Sequence, residues 1–205
     1  MLREVLRKPV AKLGLVLLAL MPFAWLCSGI FLDRLGPNPA EYLIRSTGDW
    51  TLRFLCFTLL VTPLRVICNM PELLRFRRNL GVLTFFYALM HALCYSVFDM
   101  GLEWDEIVLD IAKRPFIAVG FAGAVLLSLL AATSFNAAIK MLGAARWRSL
   151  HRAVYAIAVL AILHFFWMRS GKQNFSEVFV YAGILGALLG WRVWHAAHTR
   201  SLSRP

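Results

Sequence analysis

The chain reads as an all-α polytopic membrane protein: a bundle of six transmembrane helices forming one domain over residues 1–205. Three observations predict this. Of the 205 residues, 60% are hydrophobic, and the mean hydropathy of +0.67 is too apolar for a water-soluble domain. Apolar runs recur between short polar loops at the length that crosses a bilayer, about 20 residues. Lysine and arginine concentrate in alternate loops, as membrane topology requires.

Taken in order, Met1 to Lys12 is a basic head with Arg3, Arg7, Lys8 and Lys12, and span one covers about 13–32. A cleaved signal peptide is the competing reading. The run is long for a signal core, and no small-x-small site leads from it into a soluble domain. The loop Asp33 to Asp49 is rich in Gly, Pro and Asn. Span two covers about 50–66, with Arg53 placed to pair with Asp49 one helical turn away and Pro63 placed to kink or end it. A loop with Arg65, Arg75, Arg77 and Arg78 leads to span three, about 80–98. The loop Asp99 to Arg114 carries five acids: Asp99, Glu103, Asp105, Glu106 and Asp110. Pro115 opens span four, about 115–133, at the position where a missing N–H costs nothing. A basic loop with Lys140, Arg146 and Arg148 follows, then span five at about 149–168, a short turn with Lys172, span six at about 175–194 and a basic tail. In span six Ala182, Gly186 and Gly190 recur every four residues, a smooth strip suited to close helix packing.

Fourteen of the 22 basic residues fall in the head, the second and fourth loops and the tail. The positive-inside rule therefore places both termini in the cytoplasm and nine of the eleven acids on the outer side. The net charge of +11 follows this topology, so it does not predict a nucleic-acid partner. Its counterpart at the cytoplasmic face is anionic lipid. Six spans leave no room within this length for a nucleotide-binding module, which would come from another chain. The cysteines Cys27, Cys56, Cys68 and Cys94 show neither a C-x-x-C nor a C-x-x-C-H pattern, so a zinc site and covalently attached c-type haem are both disfavoured. No acid lies deep in any predicted span, which disfavours a proton relay.

Histidine inside a membrane span is costly and marks a functional site by default. His91 lies 12 residues beyond Asn79, about 18 Å along span three, and His164 lies roughly 20 Å along span five. Both spans run outward, so the two imidazoles reach one depth in the outer half of the bilayer. Two neutral imidazoles at one level on neighbouring helices suit the axial positions of a b-type haem iron. Packing histidines are the competing reading. His151 lies 13 residues before His164, about 19.5 Å along the span, so it reaches the cytoplasmic edge and cannot share the outer iron. There it serves an inner haem or the edge of a flavin. The inner arginines Arg75, Arg77, Arg78, Arg146, Arg148 and Arg152 are placed to contact a flavin phosphate or a haem propionate, or to hold lipid. His195 and His198, in the basic tail, read as solvated or headgroup-level.

Several of these residues carry a resemblance. Arg77-Arg78-Asn79-Leu80-Gly81, then Tyr87, His91 and Tyr95, with Thr62-Pro63-Leu64-Arg65, Arg148-Ser149-Leu150-His151-Arg152 and His164, resemble the haem-binding membrane subunits of periplasmic methionine sulfoxide reductase systems. More broadly they resemble the ferric reductase-like transmembrane domain superfamily, and the likeness covers nearly the whole chain. It implies a multi-pass protein of the bacterial inner membrane holding haem b and FMN. It implies electrons passing from the quinone pool or a cytosolic flavin reductase to a periplasmic molybdopterin-containing methionine sulfoxide reductase, MsrP, with no substrate turnover by the membrane subunit alone. A ferric or other metal reductase of the membrane cytochrome b type, and a non-redox membrane anchor, are the alternatives. One departure stands out. The superfamily carries two histidines on the third span, whereas here the inner position falls at Arg77 or Arg78.

Overall fold

In a computed structural model that describes residues 2–171 and 173–202, the chain is helical throughout its ordered elements, and six helices are long and apolar enough to cross a membrane. Met1, Lys172 and Arg204, assigned above to the head, a turn and the tail, lie outside the described residues. A short helix α1 (Leu2–Arg7) leads into α2 (Pro9–Phe31), and α3 (Pro39–Ile67) follows. A 3₁₀ turn at Pro71–Leu73 precedes α4 (Leu74–Cys94), which ends in a π-helical turn at Tyr95–Asp99. Next come α5 (Trp104–Lys113), α6 (Pro115–Ala132), α7 (Asn136–His151), α8 (Val154–Ser170) and α9 (Ser176–Leu202).

The largest core cluster joins α3, α4, α6, α8 and α9 through Leu55, Leu59, Ala88, Leu127, Ile157 and Leu185. Within it α3 packs most extensively on α4, and α6 on α8. Helix α2 lies outside this core, with Leu17, Leu18, Met21 and Trp25 exposed on the face left for lipid. Its attachment to α4 turns on Pro22. Proline interrupts the helical hydrogen-bond ladder, and the Tyr87 hydroxyl enters the gap. The Phe23 N–H donates to Tyr87 Oη at 3.2 Å, and Tyr87 donates to the Ala19 carbonyl at 2.7 Å. Tyr87 is fully buried there, stacked on Phe54.

Several predicted boundaries are corrected. Span two starts at Pro39, not near residue 50, because Asn38 caps the helix by accepting from the Glu41 N–H at 3.1 Å and Pro39 sits at its first position. An Arg45–Glu41 pair one turn apart supports the polar opening turns. Asp49 consequently lies ten residues into the helix, about 15 Å from its start, so an acid does stand inside a span. Arg53 does not form an ion pair with it. Its Nε donates to Tyr181 Oη at 3.1 Å and its guanidinium lies over Trp50. Pro63 does not end the helix, which continues to Ile67. The acidic loop contains α5, held down by buried Ile107 and by Asp110, which accepts from Tyr95 Oη at 2.5 Å and pairs with Arg114.

The basic fourth loop is also helical: it forms α7, with a break at Gly143, where φ is +75°. Helix α7 passes into α8 through a tight turn at Arg152 and Ala153, both with right-handed helical φ/ψ, so His151 and His164 lie on one membrane-crossing run, Asn136–Ser170, with His151 just before the turn. Span six runs on into the tail as one helix. At two positions of its small-residue strip, Gly186 and Gly190, a Cβ would meet no atom of the described residues within 4 Å.

Candidate functional site

Helices α4 and α8 bring His91 and His164 together, with ring centroids 6.1 Å apart and ring planes at 81°. Each ring is held by a neighbouring helix. His91 Nδ1 lies 2.8 Å from the Ile44 carbonyl of α3, and His164 Nδ1 lies 2.7 Å from the Phe116 carbonyl of α6. A carbonyl can only accept, so both Nδ1 atoms carry the proton and both Nε2 atoms keep a lone pair. Among the described residues neither Nε2 makes a hydrogen bond. This is how a protein prepares an imidazole as a metal ligand, by fixing tautomer and orientation through the remote nitrogen. With metal–nitrogen bonds of about 2 Å, the centroid separation suits one ion bound from both sides. Both rings therefore present an unprotonated Nε2 that can donate to a metal ion.

The opposite, basic end of the bundle holds a cavity of about 760 Å³, within the range of cofactor-sized sites, roughly 300–1,000 Å³. Arg77, Arg78, Arg148, Arg152 and His151 all line it, as do Tyr155 and Arg192. Arg75 and Arg146 do not line it; Arg75 donates instead to the Leu6 carbonyl at 2.8 Å. Arg78 also donates to Asn136 Oδ1 at 2.8 Å, tying α4 to α7. His151 stacks on Trp147 at 3.9 Å, with Nδ1 3.1 Å from the Trp147 carbonyl and Nε2 3.4 Å from Ser134 Oγ. Arg192 escapes a reading that assigns it to the tail. It donates to the Leu188 and Leu59 carbonyls and so stays on the cavity wall. Its only signal in the sequence is a lone cation between Trp191 and Trp194. His195 and His198 stand apart, stacked on Trp191 and Trp194.

The spacing between the two sites follows from helix geometry. Leu55, Thr84 and Leu127 line the cavity, while Gly48, His91 and Gly120 stand at the histidine pair. On each of these three helices the separation is seven residues, about 10 Å.

The family described as "Ferric reductase like transmembrane component" matches residues 47–162. The haem-binding subunit MsrQ of protein-methionine-sulfoxide reductase from Polaromonas naphthalenivorans is 62% identical over 91% of this chain and 85% of its own. The MsrQ proteins of Ralstonia nicotianae and Herminiimonas arsenicoxydans are 52% and 47% identical, over 89% and 91% of this chain and 84% and 86% of theirs. The chain belongs to the MsrQ family of ferric reductase-like membrane proteins. No solved structure matches it. The matched residues contain His91, His151 and Gly120 and end just before His164. Membership of this family and six membrane-crossing helices make the chain a multi-pass membrane protein.

Proposed function

We propose that this chain is a membrane electron conduit of the bacterial inner membrane, with a b-type haem held between His91 and His164. One observation carries the reading: two imidazoles on neighbouring helices, each bound through Nδ1 to a third or fourth helix, with both Nε2 atoms left for one iron. Haem supplies one-electron chemistry when bound, which suits an electron conduit. His91 and His164 hold the iron, and the carbonyls of Ile44 and Phe116 keep the ligand protons in place.

The cavity at the basic end holds a second, anionic group, FMN or an inner haem, with Arg77, Arg78, Arg148 and Arg152 facing its phosphate or propionates. That end is cytoplasmic by the positive-inside rule. The relatives are named as subunits of a protein-methionine-sulfoxide reductase, which supports such a reductase as the acceptor; the resemblance makes it the periplasmic molybdopterin-containing MsrP at the other face. The donor is a cytosolic flavin reductase reaching the basic cavity, or the quinone pool. A groove between α2 and α3 lined by Tyr42, Ser46, Asp49 and Arg53 supports a lipid-soluble donor.

The test is a reduced-minus-oxidised visible spectrum of the purified protein and of its histidine variants, followed by reduction assays with a quinol or a flavin reductase as sole donor. A spectrum without a b-type signal would leave the anchor alternative.

A further inference from the structure

Gly48 and Gly120, we infer, are positioning residues for the two imidazoles: each leaves open the approach by which a histidine ring reaches an occupied helix carbonyl. The inference rests on the haem reading above and adds to it the residues that aim the ligands.

In an α-helix the carbonyl of residue i accepts the N–H of residue i+4. The Ile44 and Phe116 carbonyls therefore already serve Gly48 and Gly120, and His91 and His164 use the second lone pair of each oxygen. A ring arriving there lies across the position of a Cβ on residue i+4. The distances bear this out. A Cβ on Gly48 would stand 3.1 Å from both Cε1 and Nδ1 of His91. A Cβ on Gly120 would stand 2.7 Å from Nδ1 and 2.8 Å from Cε1 of His164.

Among the described glycines only one other, Gly29, would bring a Cβ so close to a neighbour, and there the neighbour is the flexible end of Leu35. Gly81 and Gly123 have their nearest neighbours at an ordinary 3.9 Å. Neither Gly48 nor Gly120 has a positive φ, so helix conformation does not require glycine at either place. The same four-residue spacing of carbonyl and glycine occurs twice, on α3 facing α4 and on α6 facing α8. Each ligand is thus oriented by the helix its own helix packs on most extensively.

With alanine in place, the ring must slide off the carbonyl and turn. The Nδ1–H hydrogen bond that raises the basicity of the ligating nitrogen then weakens. The effect should be larger at Gly120, where the contact is shorter. The experiment uses full-length, haem-loaded protein in detergent, with the variants Gly120→Ala, Gly48→Ala, Gly186→Ala and His164→Ala. Low-temperature electron paramagnetic resonance reads the low-spin g values, redox titration the midpoint potential, and haem transfer to an apo-acceptor the affinity. Gly120→Ala is expected to shift the g values, raise the potential and weaken haem affinity by about tenfold or more. Gly48→Ala should show the same signature at smaller amplitude, and Gly186→Ala none.

Wild-type spectra in both Gly120→Ala and Gly48→Ala, with the signal lost in His164→Ala, would overturn the positioning role while leaving the haem assignment intact. An equal shift in Gly186→Ala would overturn it as a general helix effect. If Gly120→Ala does not fold, Gly48→Ala decides by the presence or absence of its shift. A low-spin signal with unchanged g values and amplitude in His164→Ala would remove the haem assignment and the inference with it.

Discussion

At one end of the bundle His91 and His164 are tied through Nδ1 to carbonyls of other helices, at 2.8 and 2.7 Å. At the other end His151 bonds a carbonyl of its own helix, Trp147, at 3.1 Å, and reaches Ser134 only at 3.4 Å. A ring held by another helix is fixed relative to the bundle, whereas a ring held by its own helix moves with that helix. The surroundings differ in the same sense. The paired histidines stand against Gly48, Gly120 and Phe116, while His151 faces an open cavity lined by arginines. On the function proposed above, one end holds an ion at two defined points and the other accepts a large anionic group by charge and shape.

The strongest way to break this contrast is to remove an axial ligand. His164→Ala or His91→Ala should bring low-spin haem at the outer site close to zero, read by visible and paramagnetic spectra, because two-sided ligation fails when either side is lost. Full retention in either variant would erase the distinction between the ends.

The converse experiment acts on the basic end. Replacing Arg77 and Arg78 by Ala should weaken retention of the anionic group by about tenfold per lost charge-assisted contact, read as cofactor content after gel filtration, with the outer spectrum unchanged. His151→Ala should likewise slow reduction from the basic side and spare the outer haem. Complete haem loss in His151→Ala would show that the two ends share ligands.

Tyr87→Phe sharpens the comparison at the level of stability. It leaves the Phe23 N–H and the Ala19 carbonyl without their shared partner beside Pro22, which costs about 1–3 kcal/mol. Thermal unfolding in detergent should report that loss while the histidine pair keeps its spectrum.

The smallest effect is expected at α5, where Glu103, Asp105 and Glu106 are exposed and Asp110 is turned inward to Tyr95. Neutralising the three exposed acids should slow association with a basic partner surface several-fold at about 0.01 M salt and little at about 0.15 M, as the screening length shortens from about 30 to 8 Å. Stopped-flow rates at the two salt concentrations measure it, and equal rates at low salt would remove the docking role of α5.

Much of this protein is determined by its sequence because the signals are local. Run length and apolarity identify six membrane-crossing helices, alternating charge orders their loops, and imidazoles in apolar runs pick out His91, His151 and His164. Pro115 marks the start of α6 for a reason internal to its own residue. Hydropathy misses the start of α3 because its first turns are polar. The Asn38 cap and the Glu41–Arg45 pair keep them helical all the same. That error hid Ile44 and Gly48, which stand against His91.

Only the tertiary structure decided which carbonyl holds which ring, and that Arg192 faces a cavity instead of the aqueous tail. The physical reason is range. Ile44 and His91 are 47 residues apart and Phe116 and His164 are 48 apart, and a glycine shows what it makes room for only once another helix has packed against it.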